Sequence, residues 1–254
     1  MKLFFRQQGE GQPLIILHGF LGSSDNWHSL ARQFAQQFSV YIVDQRNHGQ
    51  SPHSDVMNYQ AMTEDLEEFM RDNQIENANL IGHSMGGKTV MNYAVKNPSK
   101  VNKLIVVDIV PKYYPVRHDR EIAGMKAIPL DELTNRQEAE VILSGYEPDA
   151  GVRQFLLKNL ARTDEGKFYW RPNLEVLDKN IDEVGQGMKY EGTFNGETLF
   201  INGDRSKYYV EGDDVLIKKI FPKAQFTLLD TGHWVQAEKP QEFIQTALQF
   251  LNGK

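Results

Sequence analysis

Short runs of consecutive apolar residues alternate along the chain with longer segments in which apolar residues recur every three or four positions. The short runs predict buried strands, and the longer segments predict amphipathic helices. Strands are predicted at 13–17, 40–43, 78–81, 103–109, 197–201 and 226–229. Helices are predicted between them, at about 24–37, 59–73, 84–97, 213–220 and 241–251. Continuously apolar strands separated by helices indicate a parallel sheet that is covered on both faces.

The alternation stops between residues 111 and 192. Helices are predicted there at 117–127, 132–143 and 149–161, without a strand of the core type. A connection of about 80 residues is long for an ordinary crossover, which is the alternative interpretation. We therefore predict an α/β core domain formed by residues 1–110 and 193–254, with a helical cap (lid) insertion at 111–192.

Composition and charge narrow the class of protein. The chain has 254 residues, of which 40% are hydrophobic and 24% are charged, as in ordinary globular proteins. Its net charge of −6 predicts no general affinity for nucleic acid or for anionic membranes. The absence of cysteine excludes a disulfide framework and a cysteine metal site. Residues 1–6 do not resemble a signal peptide, and no segment is apolar enough to span a membrane, so we expect a cytoplasmic protein.

Residues 81–87, I-G-H-S-M-G-G, contain the pattern G-x-S-x-G directly after a predicted strand and before a predicted helix. In hydrolases this context places a serine on a sharp strand-to-helix turn, where its hydroxyl attacks a carbonyl carbon. The pattern therefore predicts Ser84 as a nucleophile. The same stretch also fits a phosphate-binding P-loop, because Gly82–Thr89 reads G-x-x-x-x-G-K-T. An apolar strand ending at Asp108 would supply the Mg²⁺-holding aspartate of that alternative.

Three further motifs, at 18–20, 44–51 and 232–234, favour the hydrolase. A P-loop protein would leave all three without a role. In a hydrolase the backbone N–H groups of Phe20 and Met85 would form an oxyanion hole. His233, which follows the last predicted strand, would be the general base, since its pKa range suits proton exchange near neutral pH.

On these motifs the chain resembles the α/β-hydrolases over nearly its whole length. The motifs are H-G-F-L-G-S at 18–23, D-Q-R-N-H-G-Q-S at 44–51, G-H-S-M-G-G at 82–87 and T-G-H-W at 231–234. R-N-H-G-x-S, together with V-V-D-I-x-P at 106–111, makes the chain similar to the YbfF-type acyl esterases. The resemblance implies a cofactor-free esterase or thioesterase with a helical cap.

Two aspartates are candidates for the acid that supports His233. In the α/β-hydrolases the acid usually lies three residues after a glycine at the end of the penultimate strand, but here Ser206 occupies that position. Asp204 lies two residues earlier, and an offset of one residue already reverses the direction of a strand side chain. Asp108 ends the strand that follows the nucleophile helix, and the resemblance to YbfF-type esterases also places the acid there. We favour Asp108 and keep Asp204 as the alternative.

The predicted reaction is acyl transfer to water through an acyl-enzyme, with no metal and no cofactor. The expected substrates are small molecules, namely short- to medium-chain acyl esters or acyl-CoA thioesters. Trp234, His83 and Ser206 are the candidate pocket residues. A C–C bond hydrolase or lyase with the same triad remains an alternative. The P-loop NTPase and a binding protein with the hydrolase fold but an inactive site are alternatives of other classes. No nucleic-acid or membrane partner is expected, and the protein is expected to be a monomer or a homodimer.

Overall fold

The computed structural model describes residues 1–115 and 118–253, and its strands and helices lie within those ranges. The strands are β1 Phe5–Gln8, β2 Gln12–Leu17, β3 Phe38–Val43, β4 Ala78–His83, β5 Val101–Val107, β6 Leu160–Arg162, β7 Phe168–Trp170, β8 Glu197–Gly203 and β9 Ala224–Leu229. The α-helices are α1 His28–Phe34, α2 Tyr59–Asp72, α3 Met85–Lys96, α4 Asp119–Lys126, α5 Arg136–Ser144, α6 Ala150–Leu157, α7 Leu174–Lys179, α8 Ile181–Gly185, α9 Asp213–Ile220, α10 Val235–Glu238 and α11 Pro240–Leu251. Within these ranges no helix has both the length and the apolar composition that a membrane crossing requires.

Seven of the strands form one sheet in the order β1-β3-β2-β4-β5-β8-β9. All neighbouring strands run parallel except β1 and β3, which are antiparallel. The predicted α/β fold with a mostly parallel sheet is therefore confirmed. The edge strand β1 was not predicted, because its sequence, F-R-Q-Q, contains no apolar run.

Helices cover both faces of the sheet. On one face, α2, α3 and α9 contribute Phe69, Val90 and Ile217 to a buried cluster with the apolar side chains of the strands. On the other face, α1 and α11 contribute Phe34 and Phe243. The strands are buried from both sides, which explains why they read as continuous apolar runs.

The segment between β5 and β8 contains the helices α4 to α8 and the antiparallel ribbon of β6 and β7. The helix predicted at 149–161 is too long at its end, because α6 stops at Leu157 and Leu160–Arg162 forms β6. Arg117, the predicted start of the first helix of this segment, lies outside the described residues. The segment packs onto Phe20 and Met85, which follow β2 and β4, so it lies over the carboxyl ends of these strands.

Candidate active site

Ser84 lies on the turn between β4 and α3. Its φ of 52° is in the left-handed region, where a residue with a side chain is strained and must be held by its surroundings. The N–H of Ser84 donates to the carbonyl oxygen of Val107 in the neighbouring strand at 3.0 Å. This bond holds the turn at the carboxyl edge of the sheet.

Two glycines allow β4 and α3 to meet closely in this turn and allow the turn to pack against the end of β2. A Cβ atom added to Gly82 would lie 2.3 Å from the carbonyl oxygen of Gly86. A Cβ atom added to Gly86 would lie 2.5 Å from the carbonyl oxygen of Leu17. Any side chain at either position would therefore force the backbone apart, which explains the two glycines of the G-x-S-x-G pattern.

Asp108 follows β5 and is fully buried. Its Oδ2 lies 2.6 Å from Nδ1 of His233, and its Oδ1 accepts the N–H of Gly203 at 3.0 Å. The hydroxyl of Ser206 donates to Oδ2 at 2.5 Å. Ser206, which occupies the position where the acid usually lies, thus donates a hydrogen bond to Asp108, which follows a different strand.

Asp204 lies apart from this cluster. Its side chain is 47% exposed, and its Oδ1 is 4.0 Å from Nε of Arg205. Within the described residues, no hydrogen bond joins the Asp204 carboxylate to His233. The structure therefore brings Asp108, and not Asp204, to the histidine.

Two aromatic rings flank the imidazole of His233. The ring of Tyr208 stacks on it with a centroid distance of 4.1 Å, and the ring of His83 lies at 4.7 Å. Nε2–H of His83 donates to the carbonyl oxygen of His233 at 2.9 Å. Burial lowers the pKa of His83 to about 3, so this ring is neutral at physiological pH. Sequence reasoning missed Tyr208, which belongs to none of the recognised motifs.

The loop after β2 makes a tight turn in which the N–H of Gly22 donates to the carbonyl oxygen of Gly19 at 3.0 Å. A Cβ atom on Gly19 would lie 3.3 Å from Cβ of Ser84, so the loop passes close to the serine. Among the described residues, no acceptor bonds to the N–H of Phe20. Met85, the other predicted oxyanion residue, is the first residue of α3, and its side chain is buried under the segment between β5 and β8.

In the part of the chain that the structure describes, no hydrogen bond joins the Ser84 hydroxyl to Nε2 of His233. Contacts of this kind are often long in the absence of substrate and tighten when it binds. Both residues nevertheless line the same cavity. A substrate in this cavity would therefore contact both residues.

The cavity has a volume of about 620 Å³ and lies between the sheet and the segment that follows β5. Phe155 of α6 faces Trp234 across it, with ring centroids 5.7 Å apart. His83 and Trp234 line the cavity as expected, whereas Ser206 is absent from its described lining. The side chain of Ser206 instead donates a hydrogen bond to Asp108.

Lys88 and Thr89, which complete the P-loop pattern, form hydrogen bonds within the protein. Nζ of Lys88 donates to the carbonyl oxygen of Gly185 at 2.8 Å and also to that of Gln186. The hydroxyl of Thr89 donates to Oε1 of Gln45 at 2.9 Å. Both side chains thus have buried partners, and no histidine or carboxylate cluster with metal-ligand geometry occurs in residues 1–115 and 118–253.

Known proteins with similar sequences and structures are consistent with this geometry. Residues 12–127 match the model of a family described as alpha/beta hydrolase fold. The chain is 37% identical to Esterase YbfF of Escherichia coli K12, over 99% of this chain and 100% of that protein. It is 39% identical to the sn-1-specific diacylglycerol lipase ABHD11 of Mus musculus, over 94% of this chain and 80% of the mouse protein. A solved structure called Marine microorganism esterase matches with a TM-score of 0.95 and 44% identity, and the match covers 98% of this chain and 99% of that one.

Proposed function

The chain belongs to the α/β-hydrolase family and is a serine hydrolase of the carboxylesterase type, and we propose that Ser84, His233 and Asp108 are its catalytic triad. The observation that carries the proposal is the 2.6 Å contact between Asp108 and His233 beside the cavity that Ser84 also lines. The strained backbone of Ser84 supports the assignment, because strain of this kind is found at functional sites.

The hydrogen-bond pattern supports a separate step for each residue of the proposed triad. Nδ1–H of His233 donates to the Asp108 carboxylate, which leaves Nε2 free to take the proton of the Ser84 hydroxyl. The serine oxygen attacks the ester carbonyl, and the N–H groups of Phe20 and Met85 stabilise the resulting oxyanion. His233 then protonates the leaving alcohol, and in the second half of the reaction it activates the water that releases the acid product.

We propose that residues 111–192 form a cap that closes the cavity from above. Phe155 and Leu156 of α6 line the cavity together with Trp234, and these apolar side chains suit the hydrocarbon chain of an acyl group. A cavity of about 620 Å³ is within the range of small-molecule sites and supports short- to medium-chain acyl groups.

The charges around the cavity support neutral esters ahead of acyl-CoA thioesters. Its described lining includes the carboxylates Glu121, Asp149 and Glu238, and Lys158 as a cation. A leaving group with several phosphates would meet more negative than positive charge there. The whole-chain net charge of −6 likewise supports a small-molecule substrate over nucleic acid. The cavity is formed by one chain, so a monomer and a homodimer both remain compatible with the proposal.

Hydrolysis of p-nitrophenyl esters with acyl chains of increasing length tests the proposal. Ser84→Ala should lose nearly all activity, because the nucleophile is removed. Asp108→Asn should lower kcat by about 10³–10⁴, because the amide no longer holds the imidazole in the productive tautomer. Asp204→Asn is the matched control, with an exposed carboxyl changed in the same way, and should stay within about twofold of wild type.

Full activity of Ser84→Ala would overturn the mechanism. Loss of activity in Asp204→Asn with activity retained in Asp108→Asn would transfer the acid role to Asp204. A parallel assay with a C–C bonded diketone substrate checks the alternative reaction. Cleavage of that substrate at a rate above that of any ester would replace the esterase proposal.

A further inference from the structure

One cap side chain reaches the loop that carries the oxyanion donor. Leu21 is buried and lies directly after Phe20. Its N–H donates to Nε2 of His48 at 3.1 Å, and its carbonyl oxygen accepts Nδ2–H of Asn159 at 2.7 Å. Both bonds are buried, so the main-chain polar groups of Leu21 are held from the core on one side and from the cap on the other.

This loop needs such support because of its backbone conformation. Leu21 has a φ of 55°, which costs a residue with a side chain roughly 1–2 kcal/mol. It is the third residue of the turn from Gly19 to Gly22, a position where glycine is preferred when φ is positive. The N–H of Phe20 belongs to the first peptide unit of this turn, whereas the N–H and the carbonyl oxygen of Leu21 belong to the second and third units. A change in the backbone of Leu21 would therefore alter the turn as a whole and displace the N–H of Phe20 with it.

The core side of this arrangement is rigid. His48 is fully buried, and its Nδ1–H donates to the carbonyl oxygen of Arg46 at 2.9 Å. Its Nε2 therefore carries no proton and accepts the Leu21 N–H. Burial lowers the pKa of His48 to about 3, so the ring remains neutral at physiological pH.

On the side of the cap, main-chain hydrogen bonds hold Asn159 within residues 111–192. Asn159 lies between α6 and β6 and is 2% exposed. Its N–H donates to the carbonyl oxygen of Leu156 at 3.0 Å, and its carbonyl oxygen accepts the N–H of Arg171 at 3.1 Å. The Arg171 guanidinium in turn lies 2.8 Å from the carboxylate of Asp25 in the core. The position of the Asn159 amide therefore follows the position of the docked cap.

From this geometry we infer that Asn159 is a positioning residue that couples cap docking to the oxyanion hole. Its amide holds the carbonyl oxygen of Leu21 and thereby the turn from Gly19 to Gly22, in which the N–H of Phe20 is directed at the carbonyl oxygen of the substrate. The inference rests on the proposed function, in which Phe20 is an oxyanion donor. It assigns to the cap a part in transition-state stabilisation in addition to enclosing the substrate.

Steady-state kinetics of Asn159→Ala with a p-nitrophenyl ester test the inference. Loss of a whole oxyanion donor costs about 10²–10³ in rate, so misalignment of one should lower kcat by about 10- to 100-fold. The KM should change by less than about threefold, because the oxyanion forms only in the transition state. The Ki of a trifluoromethyl ketone, whose adduct with serine carries an oxyanion at that place, should rise by the same factor as kcat/KM falls.

Asn173→Ala is the matched control. Asn173 belongs to the same cap segment, and its amide contacts the side chain of Asn47 in the core at 3.3 Å, away from Leu21. This variant should retain kcat within about twofold and leave the Ki of the ketone unchanged. Asn159→Ser, which keeps a shorter hydrogen-bond donor, should fall between Asn159→Ala and wild type, and it carries the test if Asn159→Ala does not fold.

Wild-type kcat and Ki in a folded Asn159→Ala, or equal losses in Asn173→Ala, would overturn the inference. Under either result an inactive Ser84→Ala would leave the proposed triad intact. An active Ser84→Ala would instead remove the proposed function, and the coupling with it. Measuring all the variants on one substrate therefore separates the two failures.

Discussion

At the scale of single residues, the proposed acid of the triad shows the limit of what a local sequence motif can predict. The glycine-flanked serine is a local pattern, and the sequence placed Ser84 on the turn where the structure has it. The choice between Asp108 and Asp204 depended on which strand end faces the histidine. The contact that distinguishes them joins residues 125 positions apart in the chain. The catalytic roles themselves remain predictions until the variants are assayed.

Phe155 offers a residue-scale prediction about substrate size. Its ring faces Trp234 in the cavity, so Phe155→Ala enlarges the space for an acyl chain. Each added methylene in an apolar pocket contributes about 1–3 kcal/mol. We expect kcat/KM for long-chain p-nitrophenyl esters to rise at least about 10-fold relative to that for the butyrate.

Tyr169→Ala is the control for that prediction. Tyr169 is also an aromatic residue of the segment between β5 and β8, but it is exposed and absent from the described cavity lining. Its removal should leave the chain-length profile unchanged. An identical profile for Phe155→Ala and wild type would show that Phe155 does not limit the acyl chain.

At the scale of elements, α3 contacts both the candidate site and the segment between β5 and β8. It begins directly after Ser84. Its fourth residue, Lys88, donates to the carbonyl oxygens of residues 185 and 186, where the segment between β5 and β8 returns to the core. The hydroxyl of Tyr59 in α2 donates to the neighbouring carbonyl of Val184 at 2.7 Å. The lysine that completed the P-loop pattern therefore holds one end of this segment.

Replacement of Lys88 by methionine tests this anchoring. A methionine keeps much of the side-chain volume but removes a donor from two carbonyl oxygens. That of Gly185 keeps the N–H of Tyr114, whereas that of Gln186 loses its described partner, which costs about 1–3 kcal/mol. The free energy of unfolding should fall by that amount in urea denaturation. Limited proteolysis should also become faster within residues 180–192.

Lys96→Met in the same helix is the matched control. Lys96 pairs with Glu67 near the surface, where an ion pair contributes about 0–1 kcal/mol. Its loss should lower the unfolding free energy by less than the loss of Lys88 does. The comparison rests on that free energy, because Nζ of Lys96 also lies 5.4 Å from the ring centroid of Tyr190, within the segment probed by proteolysis. Equal destabilisation by the two substitutions would contradict the anchoring role of Lys88.

The strands that were missed have a common cause. Strand β1 is polar and lies at the sheet edge, and the ribbon of β6 and β7 has only three residues in each strand. Neither produces an apolar period long enough to be recognised. The long, continuously apolar strands of the central sheet were predicted because each is buried on both faces.

At the scale of the whole molecule, three buried histidines link stability to pH. Burial lowers the pKa of His18 to about 4 and the pKa values of His48 and His83 to about 3. The unfolded chain protonates each of them below about pH 6.5. Between those pH values the unfolded state binds more protons than the folded state, so stability decreases as the pH falls from 6.5 towards 4.

Thermal unfolding measured from pH 7 to pH 4.5 checks this linkage. The Tm of the wild type should fall steadily over the range, although the raised pKa of the buried Asp44 opposes part of the change at its acidic end. His48→Gln, which removes one titrating group, should show a shallower slope. A Tm that does not change over the range would refute the linkage.

The resemblance of its motifs to a known family indicated the class of reaction, whereas the sequence by itself determined the apolar parallel strands of the α/β fold and the serine turn. These features are local, since they follow from the period of apolar residues and from glycines that permit one tight turn. Only the tertiary structure decided that Asp108 faces His233, that Ser206 donates to it, and that Asn159 reaches Leu21 from 138 residues away. Such contacts depend on strand order and on how the cap packs, because side chains far apart in the chain meet only when the whole fold is formed.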